Sequence, residues 1–182
     1  MKKYENYINE SKEPAYYKFI TDSFGVVKNS LIREYITDNN ITKLKLLLDN
    51  GLDPNNKNGE INYMIFYAIA EIKYDIVKLL LDYGADPNVK SEYYLLSPLM
   101  KIANQLTWFD RHTNKNIIEL LKITKLLIDA DCDLREDFFI KIDTIDNNKI
   151  KNMIYDFYNK NYPNNELIQK YVKYNTANEF NL

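Results

Sequence analysis

Residues 46–55 read "LLLDNGLDPN" and residues 79–88 read "LLLDYGADPN". The two stretches differ at two positions and lie 33 residues apart. A weaker third copy, "LLIDADCDL", occupies 126–134, and its Asp133 follows Asp86 by 47 residues, one period plus 14. A fixed period of this length is the mark of a repeat architecture, so it takes precedence over any residue-by-residue assignment.

Upstream of each copy stands a second apolar segment: "SLIREYI" (30–36), "YMIFYAI" (63–69) and "SPLMKIA" (97–103). Each unit is therefore two short helical patterns joined by a polar turn and closed by Gly–x–Asp–Pro–Asn punctuation. Leu44, Leu47 and Leu48 recur at helical spacing, as do Ile76, Val77, Leu80 and Leu81, which gives each second helix one apolar stripe. Gly51 and Gly84 stand where a helix ends and a left-handed residue is cheapest. Pro54 and Pro87 then block helix continuation. Ser97 and Pro98 suit the cap and first turn of a helix. A single unit cannot bury its stripe alone, so neighbours must stack.

With these residues in view, the chain resembles the ankyrin-repeat family. The family's helix-opening pattern, Thr-Pro-Leu-His-x-Ala, is matched best by Ser97-Pro98-Leu99-Met100 and loosely by Tyr63-Met64-Ile65-Phe66-Tyr67-Ala68. Its Gly-Ala-Asp-x-Asn turn is present as Gly84-Ala85-Asp86-Pro87-Asn88 and as Gly51-Leu52-Asp53-Pro54-Asn55. The resemblance implies an all-α ankyrin-repeat solenoid of stacked helix pairs, with short β-hairpin fingers and helical caps. It divides the chain into an N-terminal segment and capping helix (1–27), repeats at 28–60, 61–93 and 94–135, and a degenerate repeat with a C-terminal capping helix (136–182).

Two departures sharpen this expectation. The third turn has Asp131-Cys132-Asp133 in place of Gly-Ala-Asp, so Asp131 must take the left-handed conformation, which Asp tolerates better than most residues. Cys132 then fills the place of a small buried alanine. The next helical pattern, "DFFIKIDTI" (137–145), begins so soon after Asp133 that no finger fits between them. With "KIKNMIYDFY" (149–158) it forms the degenerate unit. "PAYYKFITDSF" (14–24) and "NELIQKYVKY" (165–174) each carry one apolar face, the latter with Asn165 as cap. They either cover the ends of the stack or dock a partner.

The third repeat also carries thirteen extra residues, a helical insertion over 104–116 that includes "WFDRHTNK". The stripes Leu99, Ile102, Ala103, Leu106, Phe109 and Ile117, Leu120, Leu121, Thr124, Leu127, Ile128 predict two lengthened helices. Phe109 packs between them, and His112 sits at the tip.

Composition bounds the function. The chain has 182 residues, enough for one domain, and is 46% hydrophobic and 27% charged, a globular balance. Its net charge of −2, from 24 basic and 26 acidic residues, argues against a nucleic-acid binder. No apolar run approaches the roughly 20 residues of a membrane span, and "MKKYENYINESKEP" lacks the apolar block of a secretory signal. The chain reads as cytoplasmic, or as acting in a host's cytoplasm if it comes from a virus or an intracellular bacterium. Much of its richness in Lys, Asn, Ile and Tyr is what an A/T-rich coding sequence would give.

His112 and Cys132 are the only His and Cys, too few for a zinc site and without the company of a nucleophilic triad. The four glycines are scattered, so no phosphate loop is present. The expectation is no enzyme, no cofactor and no metal. What the resemblance implies instead is recognition of a protein partner through finger tips and exposed first-helix ends. Mapped onto this chain, those positions are Lys57, Glu60 and Asn62, then Lys90, Glu92, Tyr93, Tyr94 and Leu96, with Glu71, Asn104 and Gln105 on the helices beside Thr37, Asp38 and Ala70. Tyr83 and Trp108 join them. Tyr93 and Tyr94 have the size and stiffness of interface anchors, although either could instead pack on a neighbouring finger. Binding of a viral, phage or bacterial factor to a host defence or signalling protein is one form such recognition takes in this family. The alternative is a self-assembling or scaffolding module without a foreign partner; a monomer is the favoured state.

Overall fold

A computed structural model of the protein describes residues 29–55, 63–91, 95–108 and 114–179. Its helices are α1 (Asn29–Thr37), α2 (Ile41–Asp49), α3 (Met64–Ala70), α4 (Tyr74–Asp82), α5 (Pro98–Leu106), α6 (Asn114–Asp129), α7 (Glu136–Asp143), α8 (Asn148–Asn161) and α9 (Glu166–Glu179). Among the described residues there is no strand, only an isolated bridge at Tyr63. Of the fingers expected around 57–62 and over 89–96, residues 56–62 and 92–94 lie outside the described residues, as does the capping helix expected at 14–24.

The helices pair as the period predicts. α1 packs on α2, α3 on α4 and α5 on α6, while first helices contact the next first helix from α1 through α3 and α5 to α7. Second helices do the same from α2 through α4 to α6. The apolar stripes meet in one core: Leu44, Ile69, Ile76, Leu80, Ile102, Ala103, Ile123 and Leu127 are completely buried. Each fully buried Leu or Ile contributes about 1.5–3 kcal/mol relative to exposure, so this stripe is the main driving force for stacking.

Helix boundaries follow local chemistry. Asn40 accepts from Lys43 N at 3.1 Å, Ser97 from Met100 N at 3.2 Å, Asn147 from Ile150 N at 3.2 Å and Asn165 from Ile168 N at 3.0 Å, each satisfying an orphan donor of a first turn. At the other ends Gly51 and Gly84 stand at φ +94° and +86°. Asp131 takes the same left-handed place at φ +60°. Ile72 and its counterpart Asn39, 33 positions earlier, both lie at φ +53° in the turns between paired helices. A β-branched residue is strained there, whereas Asn is tolerated.

The turns that close each unit are joined to one another. Asn55 Nδ2 donates to the Gly84 carbonyl at 3.0 Å, and its Oδ1 accepts from Asp86 N at 2.7 Å. One repeat later Asn88 does the same, donating to the Asp131 carbonyl at 3.2 Å and accepting from Asp133 N at 2.7 Å. Each asparagine is pre-positioned by an Asx turn, in which Asp53 or Asp86 accepts from its backbone N–H at 2.8 and 2.7 Å. An amide is the one side chain that offers a donor and an acceptor side by side, and so can match a carbonyl and an N–H two residues apart.

Both helices flanking the insertion are lengthened, but unequally. α5 stops at Leu106, with Thr107 as its C-cap, two residues beyond the length of α3 by register. α6 instead has 16 residues against 9 in α4, gaining its extra turns at the N-terminal end. Ile117, Leu120 and Leu121 there are buried and extend the stripe. Phe109 and His112 lie outside the described residues.

Beyond α6 the packing chemistry changes from aliphatic to aromatic. Phe138 and Phe139 of α7 meet edge-on with centroids 5.3 Å apart, and both contact Tyr158 of α8 at 5.8 and 5.9 Å. Tyr171 of α9 stacks on Phe139 at 4.9 Å. Tyr155 donates to Asp143 at 2.7 Å. Pairs of this geometry add about 0.5–1.5 kcal/mol each beyond burial.

Asn88→Ala removes both bonds of the second clip. The orphaned groups belong to exposed residues and can hydrate, so the expected loss is about 1 kcal/mol, or roughly 2–4 °C in Tm for a domain of this size. Thermal melting followed by circular dichroism checks this; an unchanged Tm would deny the clip a share in stability.

Candidate functional site

The contacts from α1 to α3 to α5 to α7 set the C-terminal ends of the first helices in a row. Thr37, Asp38, Ala70 and Glu71 are exposed along it, while Asn104 and Gln105 are half-buried. Within α7, the next first helix, Ile140 is 57% exposed. Trp108 stands beside the row, just past α5, where its backbone N–H donates to the Gln105 carbonyl at 3.1 Å. Its side chain is 59% exposed.

Two of the residues singled out by position, Gln105 and Tyr83, also hold units together. Gln105 Nε2 donates to the Ala70 carbonyl at 3.1 Å, so it braces α5 against the last turn of α3. Arg33 of α1 places its guanidinium 4.7 Å from the Tyr67 ring centre of α3, a cation–π contact across the same pair of units.

Tyr83 belongs to the second-helix side. Its hydroxyl donates to Asp49, and Lys45 Nζ donates to that hydroxyl at 2.8 Å and to Asp49 at 2.9 Å. The Lys45 and Tyr83 hydrogen bonds hold the Asp49 carboxyl below its ordinary pKa. A related arrangement recurs with Tyr162, which donates to Asp129 at 3.0 Å while Lys125 bonds Asp129 at 2.6 Å and sits over the Tyr162 ring. Between them Lys78 pairs with Asp82 at 2.9 Å, but the position matching Tyr83 is Ala130. These ion pairs are solvent-exposed and count mainly for register.

Lys90 is exposed near the base of the loop 83–97. It lines a groove of about 410 Å³ together with Leu95, Leu96, Met100, Arg135 and Phe138. Nothing in the spacing of the sequence singled out this groove. The signals that could have found it are the adjacent leucines 95 and 96 and the missing finger beyond Asp133. Lys57, Glu60, Asn62, Glu92, Tyr93 and Tyr94 lie outside the described residues.

Among the described residues no group of three or more His, Cys, Asp or Glu is arranged to hold a metal ion. No helix among them is long and apolar enough to cross a membrane. Cys132 is half-buried, where Ala85 of the preceding turn is buried. Burial, then the Asp133 and Asp131 carboxylates, push its thiol pKa from 9.0 up to about 12. A raised folded-state pKa keeps the thiol protonated at pH 8, and the associated stability is lost as pH rises from 9 toward 12. Iodoacetamide at pH 8 is therefore expected to alkylate the folded protein far more slowly than the urea-unfolded chain; equal rates would contradict this environment.

A search of curated proteins finds no match to the chain. A family model described as ankyrin repeats (many copies) matches residues 47–100, which run from the end of α2 into α5. Those residues hold both asparagine clips' donor side chains and the two complete turns, and over them the chain is similar to ankyrin repeats.

Proposed function

We propose that the protein is a non-enzymatic binding module that recognises one protein partner through the row of first-helix ends and the adjoining loop tips. Ankyrin repeats generally mediate protein–protein interaction, and the observation that carries the reading to this chain is Trp108. A tryptophan held at 59% exposure beside that row is a large, stiff contact of the kind found at interface centres. Asp38 and Glu71, both exposed, supply a polar rim. Tyr93 and Tyr94, by their place in the sequence, complete the contact surface at the tip of the second loop. Recognition of a host defence or signalling protein is the form of this function that the family's use in viruses, phages and intracellular bacteria suggests.

Affinity purification from the native cell or host with the tagged protein, followed by mass spectrometry, is the test. The parent is expected to recover a protein that the triple variant Tyr93→Ala, Tyr94→Ala, Trp108→Ala does not, with the variant's melting temperature unchanged. Identical recovery from both proteins, or cooperative melting of the variant well below the parent, would overturn the assignment of these residues to an interface.

A further inference from the structure

Residues 50–63 and 83–97 join the first three helix pairs, but only residues 130–135 join α6 to α7. The groove of about 410 Å³ opens at this short junction, between the base of the loop 83–97 and the start of α7. It lies at the point in the chain where the two earlier units carry a longer loop. The burial pattern records the difference. Phe66 is 4% exposed in the unit followed by the long loop 83–97, whereas its counterpart Met100 is only half-buried in the unit followed by the short junction.

Leu95 supplies a second, independent observation. It is a leucine held at φ +49°, and its side chain is 72% exposed. The left-handed conformation disfavours leucine, and exposure returns none of its hydrophobic energy. Its place is nevertheless fixed: Leu95 N donates to the Ser91 carbonyl at 3.0 Å, Leu96 N to Ser91 Oγ at 3.1 Å, and Ser91 N to the Leu96 carbonyl at 3.0 Å. Strain held in place by surrounding bonds, with no gain to the folded chain, points to use elsewhere.

We infer that this groove is a docking site for an extended segment of a protein partner, one that takes the place of the missing loop. The segment's chemistry is that of the chain's own loop, whose Val89 and Ser91 are buried at alternate positions, 8% and 6% exposed. Small or apolar side chains two residues apart would thus seat on the half-buried Leu96 and Met100, above the buried Phe138, with Leu95 closing over them. The rim is balanced, with Lys90 and Arg135 against Asp133 and Asp137, and Arg135 is already paired with Asp137 at 3.3 Å. A highly charged partner such as nucleic acid therefore gains nothing there. This inference rests on the protein-binding reading above but places part of the contact on a different surface.

The probe is a synthetic peptide with the sequence of residues 83–97, titrated into the full-length protein while methyl and aromatic NMR signals are followed. The expected result is saturable shifts at Leu95, Leu99, Met100 and Phe138, lost in Met100→Glu and weakened in Leu95→Asn. Asn suits the left-handed backbone, so Leu95→Asn should melt no lower than the parent. No saturable shift, or shifts unchanged in both variants, would overturn the groove as a site. Groove signals that move with protein concentration alone, before peptide is added, would also overturn it, because a second copy would then be the occupant. A partner recovered by affinity purification and bound equally by Met100→Glu would sink the groove while leaving the protein-binding reading intact.

Discussion

An asparagine that bonds the backbone of the next turn sets the geometry of this protein. Hydrophobic stripes drive the helix pairs together, but burial is not directional and tolerates sliding. The two-point contact of Asn55 with Gly84 and Asp86, repeated by Asn88 with Asp131 and Asp133, fixes one unit against the next. The left-handed residue in each receiving turn, Gly84 or Asp131, turns the chain so that the clip's carbonyl and N–H face the preceding asparagine. From that register follow the row of first-helix ends, the second-helix ties through Tyr83 and Tyr162, and the gap that opens when a loop is shortened.

The units were legible in the sequence because their information is local and repeated. The Gly–x–Asp–Pro–Asn turns, the stripes of α2 and α4, the Ser97 and Asn165 caps and the left-handed Asp131 each depend on residues close together in the chain. The clip itself was not legible. Asn55 and Asn88 read as turn residues until the turns of successive units are known to lie side by side. Tyr83 was placed by position among contact residues, and its bonds to Asp49 and Lys45 depend on how α4 lies against α2. The insertion was seen and its length measured, but periodicity could not decide which helix would take up the residues. Leu106 and Thr107 end α5, and α6 takes the added turns.

The Asn and Tyr residues in which the chain is rich have been put to physical use. Asparagines cap α2, α8 and α9 and form both clips. Tyrosines fill the aromatic core around Phe139, tie second helices and receive Arg33. The degenerate last unit thereby replaces the turn-to-turn clip with ring packing, and its short junction leaves open a surface that the earlier units cover.

The most direct test of this account is native-state hydrogen exchange at the amides of Asp86 and Asp133. Both residues are exposed and lie outside helices, where amides ordinarily exchange fast. Since each donates to an asparagine of the preceding unit, the account predicts slow exchange at these two positions, comparable to the ends of the neighbouring helices. Exchange at the rate of an unprotected amide would contradict it.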